Sequence, residues 1–294
     1  MTQRARQLLE EPLLDAAALD LAAASRLTYV LRQTFRYDYD RPVHDLRQRL
    51  VVVPAARHGS ARRLLAGLTT SAADAFVVSR RHRTGTVVVT AELDVVPESV
   101  EFTLEAVVER RGAYRDHLLP AVAAGNPRWL RPTRLTAADD AVRSLASPLR
   151  GGHPLDVAEA ACAAVHAAMP YEHGITSTRT TAAEALAMGR GVCQDHAHVM
   201  LAILRSAGVA ARYVSGHLLG EGGTHAWVEV LVPDGDGTRA VAMDPCNGCR
   251  VDARYLTVAV GRDYLDVAPT SGSYSGDAVG RLTATKRVGL AEAA

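Results

Sequence analysis

The chain has 294 residues, enough for two domains of ordinary size. Its 33 basic and 32 acidic residues leave a formal charge of +1, which excludes a polyanion such as nucleic acid as an expected partner. No apolar run reaches the roughly 18–20 residues of a membrane span, and acids interrupt the opening "MTQRARQLLEEPLLDAAALD", so a cytoplasmic protein with no membrane partner is expected.

Residues 1–24 are Ala- and Leu-rich and amphipathic, and read as a helical leader. From Leu27 the pattern changes to alternation: Leu27, Tyr29, Leu31, Phe35, Tyr37 and Tyr39 are interleaved with polar residues, the period of a strand. Strand-like runs follow at "RQRLVVVPA", "AFVVSRR", "TGTVVVTAELDVV" and "VEFTLEAVVER", separated by turn residues at sandwich-like spacing. Residues 25–115 therefore form a β-rich, sandwich-like unit. "LLPAVAAGNPRWLRPTR", with three prolines, reads as a linker or surface crossing into a second, α+β unit over 116–294.

In that unit "PLDVAEAACAAVHAAMP" places Leu155, Ala158, Cys162, Val165 and Met169 on one helical face, so Cys162 is a core residue. Thr181 and Glu184 make a capping box for a short helix that stops at Gly189. A further helix starts at or near Cys193, because Ala197, Met200, Leu201 and Leu204 form an apolar stripe ending at Gly208. Strands "VAARYVSG", "THAWVEVLV" and "TRAVAMDP" follow, the last two joined by a Pro-Asp-Gly-Asp-Gly hairpin signal. The C-terminal "SYSGDAVGRLTATKRVGL" predicts one more strand and then a frayed end.

Four cysteines in so long a chain are not a disulfide framework, and each asks for its own explanation. Cys193 stands at a helix N-terminus, where partial positive charge favours a thiolate and unpaired backbone N–H groups can hold an oxyanion. Gly189 and Gly191 let the chain approach closely without side chains in the way. A thiolate still requires a base, and the base an orienting group. On "THAWVEVLV" the period of two puts His225, Trp227 and Glu229 on one face. If Asp234-Gly235 is the two-residue turn, Asp244 falls opposite His225; a longer loop moves that partner to about 246.

"GRGVCQDHAHVMLAILRSAGVAARYVSGHL", "THAWVEV", "MDPCNGCRVD" and "VAVGRDYLDVAP" together resemble the bacterial transglutaminase-like cysteine enzymes of the papain-like superfamily, and "FRYDYDRPV" resembles the start of their β-rich N-terminal domain. The resemblance implies a Cys-bearing helix packed on an antiparallel sheet that carries His and Asp. It implies Cys193 as nucleophile, His225 as general base and acid, and Asp244 as the orienting carboxylate. Trp227, in the same His-Ala-Trp block, is expected to wall the site, and Gln194 is a candidate substrate-binding residue. The family has an aromatic where this chain has His196, Tyr at His217, and Thr at Cys246.

The expected substrate is a peptide or other amide, or a thioester, with a peptidase or amidase preferred and an amide-forming transglutaminase or biosynthetic acyltransferase, using an amine as acceptor, as the alternative; no cofactor or metal is called for. His196 and His198, two apart on a helix, point some 200° apart and cannot share a metal as an i, i+4 pair would. The single C-x-x-C, Cys246 and Cys249, falls on an Asn-Gly turn. The sequence leaves open hydrolysis or transfer to an amine, a disulfide in that turn, a non-catalytic binding module, a redox protein, and the oligomeric state.

Overall fold

A computed structural model describes residues 3–220 and 223–294; residues 1 and 2 of the expected leader lie outside the described residues. The N-terminal strands form two antiparallel sheets face to face. One has the order Gly280–Ala293, Arg26–Tyr39, Ser99–Arg111, Ala61–Thr70, Arg57–His58, and the other Thr270–Ser275, Val43–Leu50, Val87–Val96, Phe76–Arg81. Alternation supplies the filling between them: Leu31, Phe35, Leu46, Leu93, Phe102 and Leu104 are buried in one cluster drawn from both sheets. Ala61–Thr70 has no clean period of two because a bulge between Arg63 and Leu65 shifts its register, exposing Leu64 and burying Leu65.

Three expectations are corrected here. The leader is helical only over Gln3–Leu8, with a 3-10 turn at Ala16–Ala18; Ala5, Leu8 and Leu9 dock on Val30, Leu65 and Val107 of the sandwich. The C-terminus carries two strands, and Thr270–Ser275 and Gly280–Ala293 complete the two sheets of the N-terminal unit. The range 116–294 thus yields its last strands to the sandwich. Nor does the end fray: Ala294 and Arg26 exchange backbone hydrogen bonds at 2.9 and 3.0 Å.

The remaining residues build helices over an antiparallel sheet of order Cys249–Arg250, Gly237–Asp244, His225–Asp234, Ala211–Leu218, Tyr255–Gly261, with His117–Pro120 also paired to Gly237–Asp244. The stretch read as a linker is therefore partly sheet, and Trp129 within it is buried. On His225–Asp234 the even positions Ala226, Val228, Val230 and Val232 join the helix-side core, while Trp227 and Leu231 pack in clusters of their own. Cys193–Ser206 runs through that core. Twelve of its fourteen residues are buried, Ala197, Met200, Leu201 and Leu204 among them. Each buried Leu or Met side chain contributes about 1.5–3 kcal/mol, so the helix is a fixed mount for its first residue, Cys193. Pro154–Ala168 buries Cys162, as its spacing predicts.

Candidate active site

The expected capping box is present: Thr181 Oγ1 accepts from Glu184 N at 3.3 Å, Glu184 Oε2 accepts from Thr181 N at 2.8 Å, and Gly189 closes the helix at φ +66°. The chain then turns into the Cys193–Ser206 helix through Gly191. Glycine is required there by packing rather than by substrate access, because a Cβ would lie 2.7 Å from Asp195 Oδ2. That oxygen accepts from Val192 N at 2.9 Å and from Thr176 Oγ1 at 2.7 Å, fixing the turn before Cys193. Burial raises the Asp195 carboxyl despite these bonds. Within the helix start, Asp195 N and His196 N both reach Val192 O. The N–H groups of Cys193 and Gln194 precede any carbonyl a full turn back and have no such intrahelical partner.

The hairpin turns at Gly235-Asp236, with Asp234 paired to Gly237 and Gly235 at φ +55°, instead of at Asp234-Gly235. A glycine at the first central position suits a type II′ turn. The register moves by two relative to the shorter expectation, which keeps the same face, since side chains alternate with period two. His225 and Asp244 consequently meet: His225 Nε2 lies 2.7 Å from Asp244 Oδ2. The imidazole also hydrogen-bonds the Cys193 side chain. With Nε2 engaged by Asp244, Nδ1 is the ring nitrogen that serves the thiol.

Asp244 is held by more than His225. Oδ1 accepts from Cys246 N at 2.9 Å and Asn247 N at 3.2 Å, and Oδ2 accepts from Asn247 Nδ2 and Tyr255 Oη, both at 2.8 Å. Burial alone would raise this carboxyl, but His225, Asn247 and Tyr255 outweigh it and hold it below the usual range. Burial likewise works against the His225 imidazolium, yet the bonds and charges of Asp244 and Cys193 push its pKa up to about 10. The Cys193 thiol is half-exposed.

Trp227 does not wall a cleft. It is fully buried, with its ring stacked 6.2 Å behind His225 and edge-on to Tyr255 at 5.3 Å, so it supports the imidazole from within. Gln194 is 8% exposed and donates from Nε2 to Ser177 O at 3.3 Å. His196 lies between Val192 O at 2.9 Å and Met169 O at 2.6 Å, and His198 Nε2 accepts from Tyr264 N at 3.2 Å, so both imidazoles hold backbone. No group of three or more metal-ligating side chains able to hold an ion occurs among the described residues. Cys246 and Cys249 flank a turn in which Asp244 pairs with Cys249, and all four cysteines are thiols. Asn247 and Tyr255 were missed by sequence reasoning. The Asp-Pro-Cys-Asn-Gly block held a signal for Asn247, while Tyr255 arrives from a strand with no local cue.

A cysteine at the start of a buried helix, set over an antiparallel sheet carrying His and Asp, is the architecture of the papain-like, transglutaminase-like class. Residues 143–245 match the core of the transglutaminase-like superfamily, and residues 29–109 match the bacterial transglutaminase-like N-terminal region. An uncharacterized Mycobacterium tuberculosis protein is 33% identical over 286 residues, covering 87% of this chain and 89% of the relative. A Mycobacterium leprae relative, also uncharacterized, is 36% identical over 158 residues, 50% of this chain and 55% of that protein. The crystal structure of a candidate cysteine protease from Cytophaga hutchinsonii shares the fold, with a TM-score of 0.69 at 19% identity over 90% of this chain and 91% of that one. The chain belongs to the transglutaminase-like superfamily, with the bacterial N-terminal region preceding its core.

Proposed function

We propose that the protein is a cysteine-dependent acyl-transfer enzyme that attacks an amide carbonyl through Cys193, His225 and Asp244. The observation that carries this reading is the hydrogen-bonded row from the Cys193 thiol through His225 to Asp244. Asp244 favours the charged form of His225, so the imidazole takes the Cys193 thiol proton as the sulfur attacks, which makes the nucleophile a thiolate. The thiolate adds to the substrate carbonyl, and the N–H groups of Cys193 and Gln194 receive the oxyanion. His225 then gives its proton to the leaving nitrogen, the C–N bond breaks, and a thioester to Cys193 remains. A water or amine acceptor passes a proton back to His225 as it attacks that thioester, releasing the acyl group and regenerating the Cys193–His225 pair. Asp244 keeps the imidazole in orientation and stays ionised throughout.

Hydrolysis of a peptide or isopeptide amide is the preferred reaction, in keeping with the protease candidate that shares the fold. The test is iodoacetamide labelling at pH 6 with mass mapping. Cys193 is expected to react first, ahead of Cys246 and Cys249, with His225→Ala abolishing the preference. Equal labelling of Cys193 and the other half-exposed thiols would overturn the reading. A screen of peptides with and without added amines, comparing wild type with Cys193→Ala, then identifies the acyl donor and separates hydrolysis from transfer.

A further inference from the structure

Asp244 Oδ2 receives three side-chain donors, and one of them comes from outside both the hairpin and the turn that follows Asp244. Tyr255 begins the Tyr255–Gly261 strand, which pairs with Ala211–Leu218 on the far side of the sheet from Asp244. The residue is 2% exposed, and its hydroxyl lies 2.8 Å from Asp244 Oδ2, the oxygen that also faces His225 Nε2 at 2.7 Å. Burial first, and then the neighbouring Asp244 charge, push the phenol far up, so it remains an O–H donor at every working pH. Its ring is fixed edge-on to Trp227 and lies 5.9 Å from the His225 ring. Its backbone carbonyl accepts from Arg110 Nη2 at 3.1 Å, a guanidinium on the sandwich.

We infer that Tyr255 is a positioning residue of this site: its hydroxyl clamps Asp244 Oδ2 and takes part of the carboxylate's charge, setting how firmly Asp244 holds the protonated His225. The inference rests on the Cys193–His225–Asp244 reading. Tyr255 is not a catalytic residue, because its hydroxyl is spent on Asp244 and buried away from any substrate. A carboxylate with three donors on one oxygen has less charge to give each of them, and removing one leaves more for the others. The titratable groups around the carboxylate are His225 and Cys193 on one side and Tyr255 and Cys249 on the other. Cys249 Sγ lies 3.7 Å from the Tyr255 hydroxyl and feels the charge of Arg254. The buried Cys162 thiol lies against the Asp244 backbone carbonyl at 3.5 Å.

The test is a nitrogen-15 NMR titration of the histidine rings in the full chain, with His225 assigned through a His225→Gln variant. Tyr255→Phe keeps the ring and removes only the hydroxyl. The expected result is a His225 midpoint raised by about half a pH unit, roughly a threefold change in its proton equilibrium, with the other histidines unmoved. Should the Phe variant not fold, 3-fluorotyrosine placed at 255 strengthens the donor with almost no change in shape, and the midpoint is expected to fall instead. An unchanged midpoint in the folded Phe variant, or in the fluorinated protein, overturns the inference. Iodoacetamide labelling of the wild type separates this from failure of the underlying reading: if Cys193 shows no preference at pH 6, the triad itself fails, whatever Tyr255 does.

Discussion

Two buried carboxylates stand on adjacent strands of one sheet, Glu229 on His225–Asp234 and Asp244 at the end of Gly237–Asp244. Both are held below the usual range against burial, but by different partners. Glu229 Oε2 meets Arg212 Nε at 2.5 Å directly across the strand pair, and Oε1 meets His58 Nε2 of the N-terminal sheet at 2.6 Å. His58 stacks on His117 at 4.5 Å. Arginine is a permanent cation, so Glu229, held between Arg212 and His58, is a lock between the two units. Asp244 has one charged partner, His225, which can release its proton, and four neutral donor contacts. A carboxylate arranged in that way is suited to orient a group that moves protons, the role the proposed function gives it.

The sharpest way to break this contrast is Asp244→Asn. Turnover on a substrate found by the screen should fall by about a thousandfold or more, by analogy with the roughly 10⁴ loss in a Ser-His-Asp site, while urea unfolding changes less than for the Glu229 variant below. A large loss of stability with little loss of turnover would make Asp244 structural. Glu229→Gln should do the reverse. It leaves Arg212 buried without its counter-charge, which costs about 3–5 kcal/mol, read as a lower urea midpoint, and leaves the pH profile of Cys193 alkylation unmoved. A shifted profile would merge the two carboxylates into one network.

Acidity should separate the regions next. Burial, helped by nearby positive charge, lowers His198 and His217 to about 3 and His117 to about 4. The unfolded chain binds protons at these residues near pH 6.5 and the folded chain does not, so stability falls as pH drops below 6.5 toward those values. Urea midpoints at pH 7, 6 and 5 should decline in that order, and a flat series would contradict it. Glu229, lowered to about 2 against burial by Arg212 and His58, contributes stability above 4.5 that is lost as pH falls toward 2. His225 behaves oppositely: its raised value contributes fully below 6.5 and is lost as pH rises through about 10. The smallest effect belongs to Asn247→Ala, which removes one neutral donor from Asp244 Oδ2. A cost of about 1 kcal/mol, roughly fivefold in turnover, is expected, and no change would remove Asn247 from the account.

Much of this was readable along the chain because local rules and tertiary packing agree. The Thr181-Glu184 cap, the stripe behind Cys193 and the strands flanking the hairpin are each specified by neighbours in sequence. Reading failed where the partner is remote. Trp227 alternates as a site residue would, but only the fold puts it behind His225. Tyr255 looks like an ordinary strand residue until the sheet brings it to Asp244. The choice between Asp234-Gly235 and Gly235-Asp236 as turn is a contest between two adjacent glycine-bearing pairs, which the register of the whole ladder decides. Nothing local says which sheet Gly280–Ala293 will join.

That last strand bears on how the chain is made. Gly280–Ala293 lies along Arg26–Tyr39 over nearly its full length, so Arg26–Tyr39 leaves the ribosome long before the strand that completes its sheet. The Cys193 helix and the hairpin are finished earlier and have their partners at hand. Synthesis therefore favours a folded transglutaminase-like core that carries an open-edged sandwich until Gly280–Ala293 emerges, with Arg26–Tyr39 as the exposed edge most open to mispairing between nascent chains.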